Sequence, residues 1–235
     1  MKHSSSSTFE VLLTHNQRIL LLQGPIGPFF ARFSHWLREQ HRKTVFKLNF
    51  NSGDEFFYPN HIPHTFPYRD TYQNFPAFLA AFISEHQIDG IVCFGDTRPY
   101  HIAAKQLAEE KGLDFWAFEE GYFRPFYITL EHTGVNAYST LPRDAAFFQK
   151  IFPDLPQQTY HEPPPVRGGF MPMASCAIPY YLLANLRRKS YPHYIHHRIL
   201  GLNHYIGAWI LSGIKRTAYR SEEHTSELQS LSRIS

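Results

Sequence analysis

Residues 91–118, IVCFGDTRPYHIAAKQLAEEKGLDFWAF, decide the fold. Ile91-Val92-Cys93-Phe94 is a short apolar run closed by Gly95, the pattern of a strand buried on both faces. Tyr100, Ala103, Ala104, Leu107 and Ala108 then recur at helical spacing. Asp96 or Thr97 offers a cap, Pro99 suits the first turn, and Gly112 ends the helix. Phe115-Trp116-Ala117-Phe118 is the next apolar strand. A strand, a helix and a strand in direct succession form a parallel pair joined by a crossover.

The same alternation extends towards the N-terminus. Ile19-Leu20-Leu21-Leu22 stops at Gly24-Pro25, and Phe29, Phe33, Trp36 and Leu37 follow on one helical face, with Arg32, His35 and Arg38 on the other. Residues 45–50 are rich in strand formers and stop at the turn cluster 51–54. A loop dense in proline, histidine and tyrosine runs from Phe56 to about Asn74, before Phe75, Phe78, Leu79, Phe82 and Ile83 mark another helix. The expectation is an α/β fold, a Rossmann-like parallel sheet with flanking helices on both faces. Residues 1–17 read as a disordered leader, 18–152 as the Rossmann-like domain and 153–175 as a proline-rich linker. Residues 176–219 read as a helical segment leading to a further C-terminal domain. From Arg220 the aromatics vanish; RSEEHTSELQS resembles a translated sequencing-adapter oligonucleotide, so 220–235 is set aside as an artefactual tail.

Composition narrows the function. A hydrophobic share of 43% suffices for a core, and a net charge of +3 lacks the Lys/Arg loading of a nucleic-acid binder. No run approaches the ~20 apolar residues of a membrane span, and no secretory h-region opens the chain. The two cysteines, Cys93 and Cys176, lie in apolar contexts, as thiols of a reducing compartment do, which points to the cytoplasm. The histidines at 61, 64, 193, 196 and 197 lack partners at ligand spacing, so neither a metal nor a cofactor is expected.

In open α/β sheets, ligands bind beyond the carboxyl ends of the strands. The loops there hold Gln23 and Gly24, then Asn51, then Asp96, Arg98 and His101, then Glu119, Glu120 and Arg124. The Gln23–Gly27 loop could present N–H groups to an anion, but a tight strand–helix turn explains it equally well. Asp96 and Arg98 read either as a cap with a surface pair, or with His101 as a grip on a ligand's carboxylate or phosphate. Of Glu119 and Glu120 only one points readily into a cleft, because side chains alternate along a strand. A carboxylate there can act as nucleophile or general base, with Arg124 near enough to lower its pKa; the alternative is a solvated pair.

LLLQGPIGPFF, VFKLNFNSGD, FGDTRPYHIAAKQLA and FEEGYFRPFYITLE, in that order, resemble the signature segments of the KpsS/LipB-type capsule proteins, and GVNAYSTLPRD continues the match. Thr97 stands where Cys is common in that family, and Phe126-Tyr127 where Asp-Trp is usual. The resemblance implies a GT-B-like glycosyltransferase of which this chain is the N-terminal half. It would transfer β-Kdo with retention from CMP-Kdo, a nucleotide-sugar donor, to a lysophosphatidylglycerol-type lipid acceptor. The setting would be cytoplasmic, peripheral at the inner-membrane surface of a Gram-negative cell, with capsule assembly or export machinery as a further partner. Retention asks for a carboxylate nucleophile, for which Glu120 is the candidate by motif position; Gln23, Gly24, Asn51, Asp96, Arg98, His101, Glu119 and Arg124 would bind substrate. The donor nucleotide would sit mostly on the second domain, leaving this chain inactive alone. A non-catalytic export or assembly factor is the alternative.

Overall fold

The computed structural model describes residues 7–121, 127–154, 170–196, 207–208, 211–215 and 219. They fall in two compact units, 1–195 and 196–235; the second contributes short helical stretches at 207–208 and 211–215. The first unit holds a six-stranded sheet. Its strands are β1 (Arg18–Leu21), β2 (Thr44–Asn49), β3 (Thr65–Pro67), β4 (Gly90–Phe94), β5 (Asp114–Glu120) and β6 (Ile128–His132), in the spatial order β3-β2-β1-β4-β5-β6. All neighbours pair in parallel except β5 and β6. This is a Rossmann-like α/β fold, with the order reversing between β1 and β4.

Strand alternation sorts the apolar residues onto two faces. Leu20, Leu22, Phe46, Leu48, Ile91, Cys93, Phe115 and Ala117 pack under α4 (Phe75–His86) and α5 (Pro99–Lys111). Ile19, Leu21, Val45, Val92, Trp116 and Phe118 pack under α1 (Thr8–His15) and α2 (Phe29–His41). On this second face Asn16 ties three strands together: its Nδ2 donates to the Asp89 carbonyl and to Asp114, and its Oδ1 accepts from Trp116 Nε1 at 2.7 Å.

Several elements differ from the sequence expectation. The leader is not without structure throughout, since Thr8–His15 form α1. Ser7 caps it and Glu10 reaches back to the Ser7 N–H at 2.8 Å, completing a capping box, while Leu12 is fully buried. The loop after Phe56 contains β3, only three residues long. Its Pro67 is tolerable because β3 lies at the sheet edge. The turn cluster at 51–54 opens α3 (Ser52–Phe57), capped by Asn51. The sheet is not wholly parallel, because the connection from Glu120 to Ile128 is too short for a crossover helix; β6 returns antiparallel after Gly121, whose N–H meets the Tyr127 carbonyl at 3.0 Å. Two further helices follow, α6 (Ala145–Ile151) and α7 (Phe170–Leu186). Helix α7 begins inside the expected linker, and it packs on α3 within the first unit, so the sheet-bearing body runs on to Ile195 and does not stop near 152.

Candidate functional site

The loops beyond the carboxyl ends of the strands gather two groups of polar side chains. The first lies beyond β1 and β2. Gln23 is buried, and its Nε2 sits 3.1 Å from both Asp54 carboxylate oxygens, 3.1 Å from the Tyr180 hydroxyl and 3.0 Å from the Tyr194 hydroxyl. Asn51 accepts the Gly53 and Asp54 N–H groups on Oδ1, and its Nδ2 donates to the Tyr180 hydroxyl at 2.9 Å. The Tyr180 hydroxyl in turn donates to Asp54 at 3.1 Å. Burial raises the pKa of both tyrosines, and the Asp54 charge raises it further, so both hydroxyls stay protonated and serve as donors.

Lys47 joins this group from the middle of β2. It is buried on the α2 side, its ammonium donates to the Leu48 carbonyl, and it lines a cavity of about 20 Å³ with Gly24, Gly27, Asp54 and Tyr180. Burial pulls its pKa from 10.5 down to about 8; Asp54 opposes that pull and Arg98 adds to it. That cavity holds about one water molecule, so as it stands this pocket is a polar floor and not a sugar site.

The second group lies beyond β4 and β5. Asp96 is buried and accepts the Val135 N–H at 2.9 Å; it does not cap α5, whose N-terminal cap position is held by Arg98 with no side-chain cap bond. Gly134 allows that approach, since a Cβ there would stand 2.9 Å from Asp96 Oδ2. Glu119 lies on the same side: its Oε2 accepts from Asn136 Nδ2 at 3.3 Å, and a Cβ on Gly95 would meet it at 3.7 Å. His101 is buried at the first turn of α5, with Nδ1 against the Gly95 carbonyl. Arg98 crosses the point where strand order reverses: its guanidinium donates to the Gly24 carbonyl at 3.2 Å, and its field reaches Lys47, Tyr180 and Tyr194.

Glu119 and Glu120 part company as a strand demands. Glu119 shares the face of Phe115 and Ala117, towards α5 and the Asp96 loop, whereas Glu120 shares the face of Trp116 and Phe118, towards α2, and is exposed at the end of β5. Gln23 and Lys47 lie on that same α2 face by alternation with Leu21 and Val45. Arg124 lies outside the described residues. Lys47, Asn136, Tyr180 and Tyr194 are not among the candidates, and Asp54 enters the sequence reading only as the last residue of the turn cluster 51–54. A lone lysine inside an apolar strand was the one signal available for Lys47; nothing local tied the tyrosines of a distant segment to this cleft.

The family described as capsule polysaccharide biosynthesis protein matches residues 89–233. A capsule polysaccharide modification protein, LipB, of Neisseria meningitidis serogroup A is 55% identical over 212 residues, and its serogroup B counterpart 54%; each alignment covers 90% of this chain and 50% of the relative. The capsule polysaccharide export protein KpsS of Escherichia coli is 39% identical over 209 residues, 89% of this chain and 52% of the relative. The chain thus spans about half the length of these curated relatives.

Proposed function

The chain belongs to the capsule polysaccharide biosynthesis family, and on that premise we propose that the complete protein is a retaining glycosyltransferase that moves β-Kdo from CMP-Kdo to a lysophosphatidylglycerol-type lipid acceptor. The reaction takes place at the cytoplasmic face of the inner membrane, in concert with capsule assembly or export machinery. The observation that supports this reading is the convergence of Gln23, Asn51, Asp96, Arg98 and Glu119 on one end of the sheet, with Glu120 closing β5 at the same end.

Retention asks for two displacements. In the first, a carboxylate, Glu120 in this reading, attacks the anomeric carbon and CMP leaves with the bonding electrons. In the second, an acceptor hydroxyl gives up its proton and displaces the carboxylate. Arg98, already spanning the loops after β1 and β4, is suited to the donor's carboxylate or phosphate by its forked donors. In a GT-B-like enzyme the donor nucleotide sits mostly on the second domain, so this chain, which spans about half the length of its relatives, should turn over poorly by itself.

The test is product formation from CMP-Kdo and lysophosphatidylglycerol by the complete protein. Glu120→Gln should lower turnover by about a thousandfold or more, as loss of a covalent nucleophile does. Glu119→Gln should act mainly on KM. Unchanged turnover in Glu120→Gln removes that residue from the mechanism, and a collapse confined to Glu119→Gln exchanges the two roles. The alternative, a non-catalytic export or assembly factor, is in keeping with the name of the Escherichia coli relative. It is favoured if a Glu120→Gln protein restores normal capsule to cells.

A further inference from the structure

Helix α7 carries apolar side chains on its exposed side as well as its buried one, and no charged residue on either. One arc, formed by Ala174, Ala177, Tyr180 and Tyr181, is buried. At 100° per residue Met171, Ile178, Leu182 and Leu186, which are 73%, 56%, 47% and 72% exposed, fall on one arc flanking the buried one, together with Ser175 and Asn185. A surface helix normally turns charges outward, and this exposed arc has none. The helix is immediately followed by Arg187, Arg188 and Lys189, all exposed, and none is paired with a carboxylate among the described residues. Residues 170–196 contain no Asp or Glu at all.

We infer that this outer face of α7, with the basic turn at its end, docks on an anionic lipid surface. An apolar stripe flanked by cations without acidic neighbours matches the boundary between acyl chains and negatively charged headgroups. A two-fold contact between copies fits less well, since it would bring two such cationic ends onto a surface with no acidic residue to receive them. The helix lies on the membrane and does not cross it: no helix among the described residues is long and apolar enough for a span. The inference deepens the membrane-surface part of the proposed function; sugar transfer is assayed separately, so failure of either is distinguishable from failure of the other.

The experiment is co-sedimentation of the full chain with vesicles of phosphatidylglycerol and phosphatidylcholine in equal parts, against phosphatidylcholine alone. The protein should partition to the anionic vesicles and be released by salt. Arg187→Ser/Arg188→Ser/Lys189→Ser should weaken partition roughly a hundredfold, and Ile178→Ser/Leu182→Ser/Leu186→Ser at least about tenfold. Independently of any variant, amide exchange of the unmodified chain should slow at 178–189 when anionic vesicles are added. Absence of binding to anionic vesicles, equal binding by both variants, or protection confined to other segments overturns the inference. So does a concentration-dependent dimer or a protein complex that the Ile178/Leu182/Leu186 variant abolishes while vesicle binding persists.

Discussion

Lys47 is a cationic residue set within a buried strand, and its energetics follow from that placement. Burial holds its ammonium at about 8, below the ordinary 10.5. The folded chain therefore disfavours the protonated form relative to the unfolded chain. Below about pH 8 both states carry the proton and the full penalty is present; between about 8 and 10.5 the folded chain gives it up first and the penalty is lifted. Stability from this group rises with pH across that window, by about 3 kcal/mol. Urea unfolding of the wild type and Lys47→Met should show the gap moving towards the wild type by that order between about pH 7 and pH 10. Tyr68 and Tyr191, raised by burial to about 12, act with opposite sign above pH 10 but cancel between the two proteins. Tyr180 supplies the second residue-scale prediction. Its hydroxyl serves Gln23, Asn51 and Asp54 together, so Tyr180→Phe should cost about 1–3 kcal/mol in the same measurement.

At the scale of elements, the contact between α3 and α7 depends on one glycine. A Cβ on Gly53 would stand 2.6 Å from the Tyr180 ring and 2.7 Å from its carbonyl oxygen, so α7 must shift to accept one. Gly53→Ala should destabilise by about 1–3 kcal/mol, and limited proteolysis should cut within 170–196 before it cuts the sheet; equal cleavage in both proteins would contradict this. The sheet itself is braced by Asn16, whose removal in Asn16→Ala strands the Trp116 N–H and the partners on Asp89 and Asp114. A loss of about 3 kcal/mol is expected, read by thermal unfolding. Helices α2, α4 and α5 and the long strands needed no tertiary information, because their periodicities are written locally. The elements that escaped the sequence reading are β3 and β6, edge strands whose existence depends on a neighbour to pair with, α1, whose cap lies within a serine run that reads as a flexible leader, and α3 and α6, too short to show a periodicity.

For the whole molecule, the strand order places the loops after β1 and β4 side by side, and this adjacency lets Arg98 reach Gly24. Glu120, by contrast, is exposed at a strand end, so Glu120→Gln should leave the unfolding temperature within about 1 °C of the wild type while turnover falls. A protein that melts early would mark Glu120 as structural instead. The sequence located the four loops correctly at one end of the sheet, and it could also foresee that only one of Glu119 and Glu120 would face each side.

What the sequence determined by itself is the α/β fold, the positions of β1, β2, β4 and β5, and the polar loops at their ends, because hydrophobic periodicity and turn residues act over a few positions. Only the tertiary structure decided that Tyr180, 126 residues beyond Asp54, would close the cleft floor, that Asp96 would hold Val135 in place of capping its helix, and that Lys47 would be buried. Those outcomes depend on which distant surfaces meet, and contacts across the fold leave no periodic trace along the chain.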